Sequence, residues 1–243
     1  VDLLPFNAAI QIATHTGTEF INDNGIWFKP DGTEMYVLNT GDSGTEHYVN
    51  QFSMETAWDV ANITYTATST YGLAFNGLAM SHDGLRIFGC GDASSLHNIS
   101  ESVLSTAWDL STAGVSVTRQ VLYDSHANFR TYDIKFNGDG TKAFILLSDS
   151  TSGSNNPATD NNDEMKLVQY NLASAYNFIG ETQSHEIDVG IRGDNRWYFS
   201  FANNGSKIYI GERVYELATA YDLSTASRND SASAFSHPPE VHY

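Results

Sequence analysis

GIWFKPDGTEMYVLN, residues 25–39, decides the fold, because shorter or longer copies of it return along the chain. An apolar strand runs into an Asp-Gly turn, and a strand of aliphatic and aromatic residues leaves it. The turn recurs at Asp31-Gly32, Asp83-Gly84, Asp139-Gly140 and Asn204-Gly205. Each copy then reaches a Leu-x-x-Ala-aromatic-Asp/Asn corner, at Met54 to Asp59, Leu104 to Asp109, Leu172 to Asn177 and Leu217 to Asp222. Short strands repeating at roughly 45 to 65 residues mark a β-propeller. Four copies predict an all-β chain of four blades. Five blades are the alternative, but a fifth needs about 40 more residues than the termini supply.

Aligned on the turn glycine, Ile26, Leu78, Ile134 and Phe199 precede Phe28, Met80, Phe136 and Phe201 by two residues. That spacing belongs to a strand with one buried face. On this innermost strand, strand A, the other face carries Trp27, Ala79, Lys135 and Ser200. In a propeller it lines the central channel, which makes Trp27, Lys135 and Ser200 the candidate ligand-binding residues. Strand B has an aromatic four residues beyond the glycine in every copy: Tyr36, Phe88, Phe144 and Tyr209. Its near-continuous apolar run suits a strand covered on both faces. Strand C is weakest in the second copy, where Ser102 replaces the aromatic of Phe52, Tyr170 and Tyr215.

The corner aromatics Trp58, Trp108, Tyr176 and Tyr221 are expected to be structural, each ring plugging the gap between strands C and D of its own blade. Asp59, Asp109, Asn177 and Asp222 should then hydrogen-bond the backbone of the turn. Outermost strands D are expected near Ile63 to Ser69, Ser116 to Tyr123, Phe178 to Ile187 and Ser231 to Ser236. The blades of this single domain then span about 22–71, 72–127, 128–190 and 191–236. Residues 1–20 would supply a closing strand, because Ala9–His15 resembles a D segment. Five D-like segments for four blades leave one spare. A spare strand can add to a sheet edge on another chain and build an oligomer.

The formal charge of −17 repels phosphate backbones and anionic membrane surfaces, so neither nucleic acid nor a membrane is an expected partner. No apolar run is long enough to span a bilayer. Sparse charge among abundant Ser, Thr, Asn and Gly fits a protein of a virion or the extracellular space. Val1 suits a processed or trimmed start. Cys90, the one cysteine, excludes an intrachain disulfide and a cysteine-based zinc site, and it reads as a small buried hydrophobe.

Two loops carry candidate chemistry. The insert of the third copy gathers Asp149, Asp160, Asp163 and Glu164, hard oxygen ligands that suit calcium, the one cofactor the sequence suggests. The alternative is a solvated loop, since no glycine stands where an EF-hand needs one. Gly41-Asp42-Ser43-Gly44 looks like a serine-protease loop but lacks the histidine context a triad requires. The histidines are scattered, without pairs at metal spacing, and no catalytic residue is assigned.

GIWFKPDGTEMYVLN from Gly25, VLSTAWDLSTAG from Val103, IKFNGDGTKAFILL from Ile134 and ELATAYDLSTAS from Glu216 resemble a known set of repeats. These occur in predicted virion and tail-fibre proteins of bacteriophages, many marine, and in some secreted bacterial proteins. The resemblance covers nearly the whole chain after about Phe20. It departs at Ser102, at the insert of the third copy and at the short link around Glu212. It implies a non-enzymatic protein of a virion surface or the extracellular space, with structural or adhesive work. Its partners would be other virion or surface proteins, or a host-surface glycan. The alternatives are a lectin-like propeller with aromatic-lined pockets and a calcium-dependent hydrolase or lactonase.

Overall fold

The computed structural model describes residues 22–40, 47–71, 77–91, 98–115, 117–120, 129–149, 164–191, 198–211 and 213–229. Four four-stranded sheets follow one another along the chain. Blade 1 consists of β1 (Asn22–Phe28), β2 (Glu34–Thr40), β3 (His47–Met54) and β4 (Ile63–Tyr71). Blade 2 consists of β5 (Gly77–Met80), β6 (Arg86–Cys90), β7 (Asn98–Val103) and β8 (Val117–Gln120). Blade 3 consists of β9 (Phe129–Phe136), β10 (Lys142–Asp149), β11 (Glu164–Asn171) and β12 (Thr182–Ile191). Blade 4 consists of β13 (Phe199–Ala202), β14 (Lys207–Ile210), β15 (Arg213–Leu217) and β16 (Ala226–Arg228). Within each sheet the strands neighbour one another in chain order, and their ladders are antiparallel. The fold is an all-β propeller of four blades.

The chain divides into two compact units, Val1–Ser95 with Ile99–Arg119 and Leu96–Asn98 with Gln120–Tyr243. Blades 1 and 2 thus fall essentially in the first and blades 3 and 4 in the second. In the first, Tyr36, Leu38 and Val49 of blade 1 share a buried core with Leu78, Leu104 and Leu110 of blade 2. In the second, Phe144, Leu146 and Leu167 of blade 3 share one with Phe199, Ile208 and Leu223 of blade 4. Cys90 is fully buried in β6.

The corners place their aromatics differently from the sequence expectation. Each ring lies on the A–B turn glycine of its own blade instead of filling the C–D gap. A Cβ built on Gly32 would come within 2.3 Å of Trp58, one on Gly84 within 2.2 Å of Trp108. On Gly140 and Gly205 it would come within 2.3 Å of Tyr176 and Tyr221. The ring reaches the glycine because the aromatic residue is itself left-handed, with φ of 67°, 67°, 59° and 56° at Trp58, Trp108, Tyr176 and Tyr221. Its amide donates to the carbonyl of that glycine, at 2.8, 2.9, 2.8 and 2.9 Å in blade order. Two residue types are therefore fixed by one contact: no side chain fits at the glycine, and only a turned-back residue reaches it.

Side chains tie both ends of this lock. Asp31 Oδ1 accepts from the Thr33 amide at 2.9 Å and the Thr33 hydroxyl at 2.6 Å. Asp139 and Thr141 repeat the pattern at the same distances. At the corners, Asp59, Asp109, Asn177 and Asp222 accept from the amide two residues on, at 3.0 to 3.1 Å.

Two outer strands begin elsewhere than expected. The outer strand of blade 4 is Ala226–Arg228, paired with β15, and the expected Ser231–Ser236 lies outside the described residues, as does Ala9–His15. The corner explains the early start. Leu223–Thr225 forms a 3-10 turn capped by Asp222, which returns the chain to the sheet at once. The outer strand of blade 3 begins at Thr182, not Phe178, because Phe178 is buried against Phe136. Strand β7 forms despite Ser102, whose buried hydroxyl donates to the Gly114 carbonyl at 3.3 Å.

Two outcomes are expected. Trp108→Ala should cost about 3–5 kcal/mol as the deletion of a large, half-buried ring that packs on the turn and on Trp27, and Gly84→Ala about 2–4 kcal/mol from clash and backbone strain. The double variant should cost less than the sum, because removing the ring removes the clash; urea unfolding of all three measures the coupling. The second outcome concerns acid. The Thr33 hydroxyl, and behind it the Thr33 amide, hold the Asp31 carboxyl down at about 2, and Asp139 is lowered by Thr141 in the same way. A lowered carboxyl stabilises the fold above its unfolded pKa and loses that contribution as pH falls through the folded value. Thermal unfolding between pH 6 and 2 should show stability falling below about pH 4, and Asp31→Asn should flatten the fall.

Candidate functional site

The face of strand A opposite the apolar pair continues across each sheet as a row in register. In blade 1, Trp27 pairs with Tyr36 and Tyr36 with Gln51. In blade 3 the same places hold Lys135, Phe144 and Gln169. These rows form the seams with the following blade of the same unit.

The seam of the first unit is aromatic and densely hydrogen-bonded. The Trp27 ring stacks on Trp108 of blade 2, with centroids 5.5 Å apart and planes 17° apart. Lys29 Nζ stands 5.9 Å from the Trp108 ring centroid and pairs with Asp31 at 3.1 Å. Gln51, almost fully buried, donates from Nε2 to the Trp108 carbonyl at 2.8 Å and to Glu34 Oε2 at 2.5 Å. Its Oε1 accepts the Leu110 amide at 2.8 Å. The Tyr36 hydroxyl lies within 2.6 Å of the Trp108 carbonyl and 2.7 Å of Glu34 Oε2. Burial, and behind it the Glu34 carboxylate, pushes the Tyr36 pKa well up, so the hydroxyl stays a donor.

The second unit repeats the plan with other side chains. Gln169 Oε1 accepts the Leu223 amide at 2.9 Å, and Lys142 Nζ donates to the Tyr221 carbonyl at 2.8 Å. Phe144 meets Phe201 edge-on at 4.6 Å. Lys135 bends to Asp133, with Nζ 2.6 Å from Oδ1, and stands 5.6 Å from the Phe199 ring centroid. Asp133 is 1% exposed and accepts the Ile134 amide at 2.9 Å and the Phe199 amide of blade 4 at 3.1 Å. Burial pushes its carboxyl up, against the opposing pull of Lys135 and the two amides.

Of the three expected ligand-facing residues, Trp27 and Lys135 therefore sit in seams with protein partners, and Ser200 is exposed in β13 opposite Tyr209. Trp27 belongs to the first unit, and Lys135 and Ser200 belong to the second. Of the four expected calcium ligands, Asp149 and Glu164 stand opposite each other at the end of the β10–β11 hairpin. Asp160 and Asp163, like Gly41–Gly44, lie outside the described residues. Among the described residues no group of three His, Cys, Asp or Glu side chains could hold a metal.

The sequence reading missed Gln51, Gln169 and Asp133. A signal existed for the glutamines: they occupy alternate copies, with Glu101 and Val214 between them, and each precedes a copy whose corner reads Asp-Leu-Ser-Thr-Ala. Asp133 gave none, since it stands where the other copies have Gly25, Gly77 and Tyr198. Gln51→Leu should leave the buried Leu110 amide without an acceptor and cost about 1–3 kcal/mol. Gln169→Leu should cost a similar amount through Leu223, both read by urea unfolding.

No family model and no curated protein sequence matches the chain. Among solved structures it is similar to hydrazine synthase of Kuenenia stuttgartiensis, 16% identical over 80% of this chain and 52% of that one, with a TM-score of 0.48. It is also similar to a candidate 6-phosphogluconolactonase of Bacteroides fragilis, 15% identical over 87% of this chain and 56% of that one, with a TM-score of 0.50. The chain spans about half the length of these two structures. At such identity the likeness is one of fold.

Proposed function

We propose that the protein is a non-enzymatic structural or adhesive module of a virion surface or the extracellular space, binding a partner protein or a surface glycan. The observation that carries this reading is the use made of the inner-strand side chains. Trp27 is stacked on Trp108, and Lys135 is held by buried Asp133, so both brace the scaffold. A rigid scaffold of this kind suits the display of variable surface. The charge of −17 adds a field that draws cationic partners and repels phosphate polymers. The phage-type repeat sequences support the virion or extracellular setting.

The lactonase reading has the fold of one structural neighbour behind it and requires a calcium centre, for which the sequence offers Asp149, Asp160, Asp163 and Glu164. Two measurements separate the readings. Labelled protein should bind intact bacterial cells or a glycan array saturably, and a panel of lactones and esters should show no turnover with calcium or with chelator. Turnover that chelator abolishes would replace the adhesive reading with the hydrolase.

A further inference from the structure

We draw no further inference here: the strongest candidate, the outer edge of β4 in blade 1, whose nine residues include no charged one, is interrupted by the register shift opposite Gln51 and Phe52, and nothing in the structure shows what covers it.

Discussion

Everything in these blades hangs on an aromatic ring laid across a glycine. The ring can reach the glycine only if its own residue adopts φ near 60°, a conformation that costs of order 1–3 kcal/mol for a bulky side chain. The same cost is borne at Trp58, Trp108, Tyr176 and Tyr221. It is offset by ring contact with the turn, by the amide bonded to the glycine carbonyl, and by a second bond at the end of strand C. There Met54, Leu104, Leu172 and Leu217 donate to the carbonyl one residue past the glycine, at 2.8 Å in every blade. The A–B turn and the corner after strand C thus become one rigid piece at the same end of the sheet.

The seams inherit their geometry from this piece. Trp108 offers its ring, its carbonyl and, two residues on, the Leu110 amide to blade 1, all held by the lock. Tyr221 and Leu223 offer a carbonyl and an amide to blade 3 in the same manner. The glutamines stand on alternate blades, Gln51 on blade 1 and Gln169 on blade 3, so each unit repeats the same seam although the visible sequence period is one blade. Each unit of the chain holds one such seam.

The turn glycines and corner aromatics were legible because one contact constrains both, and the four-blade fold follows from counting them. That the two constrain each other was not legible. Their separation along the chain varies with the link between strands B and C, shortest from Gly205 to Tyr221 and longest from Gly140 to Tyr176. A variable spacing carries no periodic signal. The strand-A face was read correctly as a face, but alternation cannot tell a channel from a seam. Trp27 and Lys135 share that face, and partners on the next blade decide what each one meets. The outer strand of blade 4 was misplaced because Ala-Ser-Arg is too short and polar to read as a strand. The corner before it, not its own composition, puts it in the sheet.

The two seams differ in one respect that bears on what each can do. Blade 1 joins blade 2 through stacked indoles, which keep their contact whatever the pH. Blade 3 joins blade 4 partly through Asp133, a carboxylate with 1% exposure that holds Lys135 and the Phe199 amide together. A buried ion pair of this kind contributes little net stability against an apolar substitute, since desolvation consumes most of the attraction. Its geometry is nevertheless demanding: both carboxylate oxygens are engaged, one by Lys135 and Ile134 and the other by Phe199. The aromatic seam therefore supplies cohesion by area and stacking, while the ionic seam defines which residue of β13 sits against β9. A repeat protein whose blades resemble one another so closely has many near-equivalent ways to pair them. Asp133, at a place held by Gly25, Gly77 and Tyr198 in the other copies, sets the seam of blades 3 and 4 apart from that of blades 1 and 2, although the Phe199 amide it accepts is a backbone group that every inner strand offers.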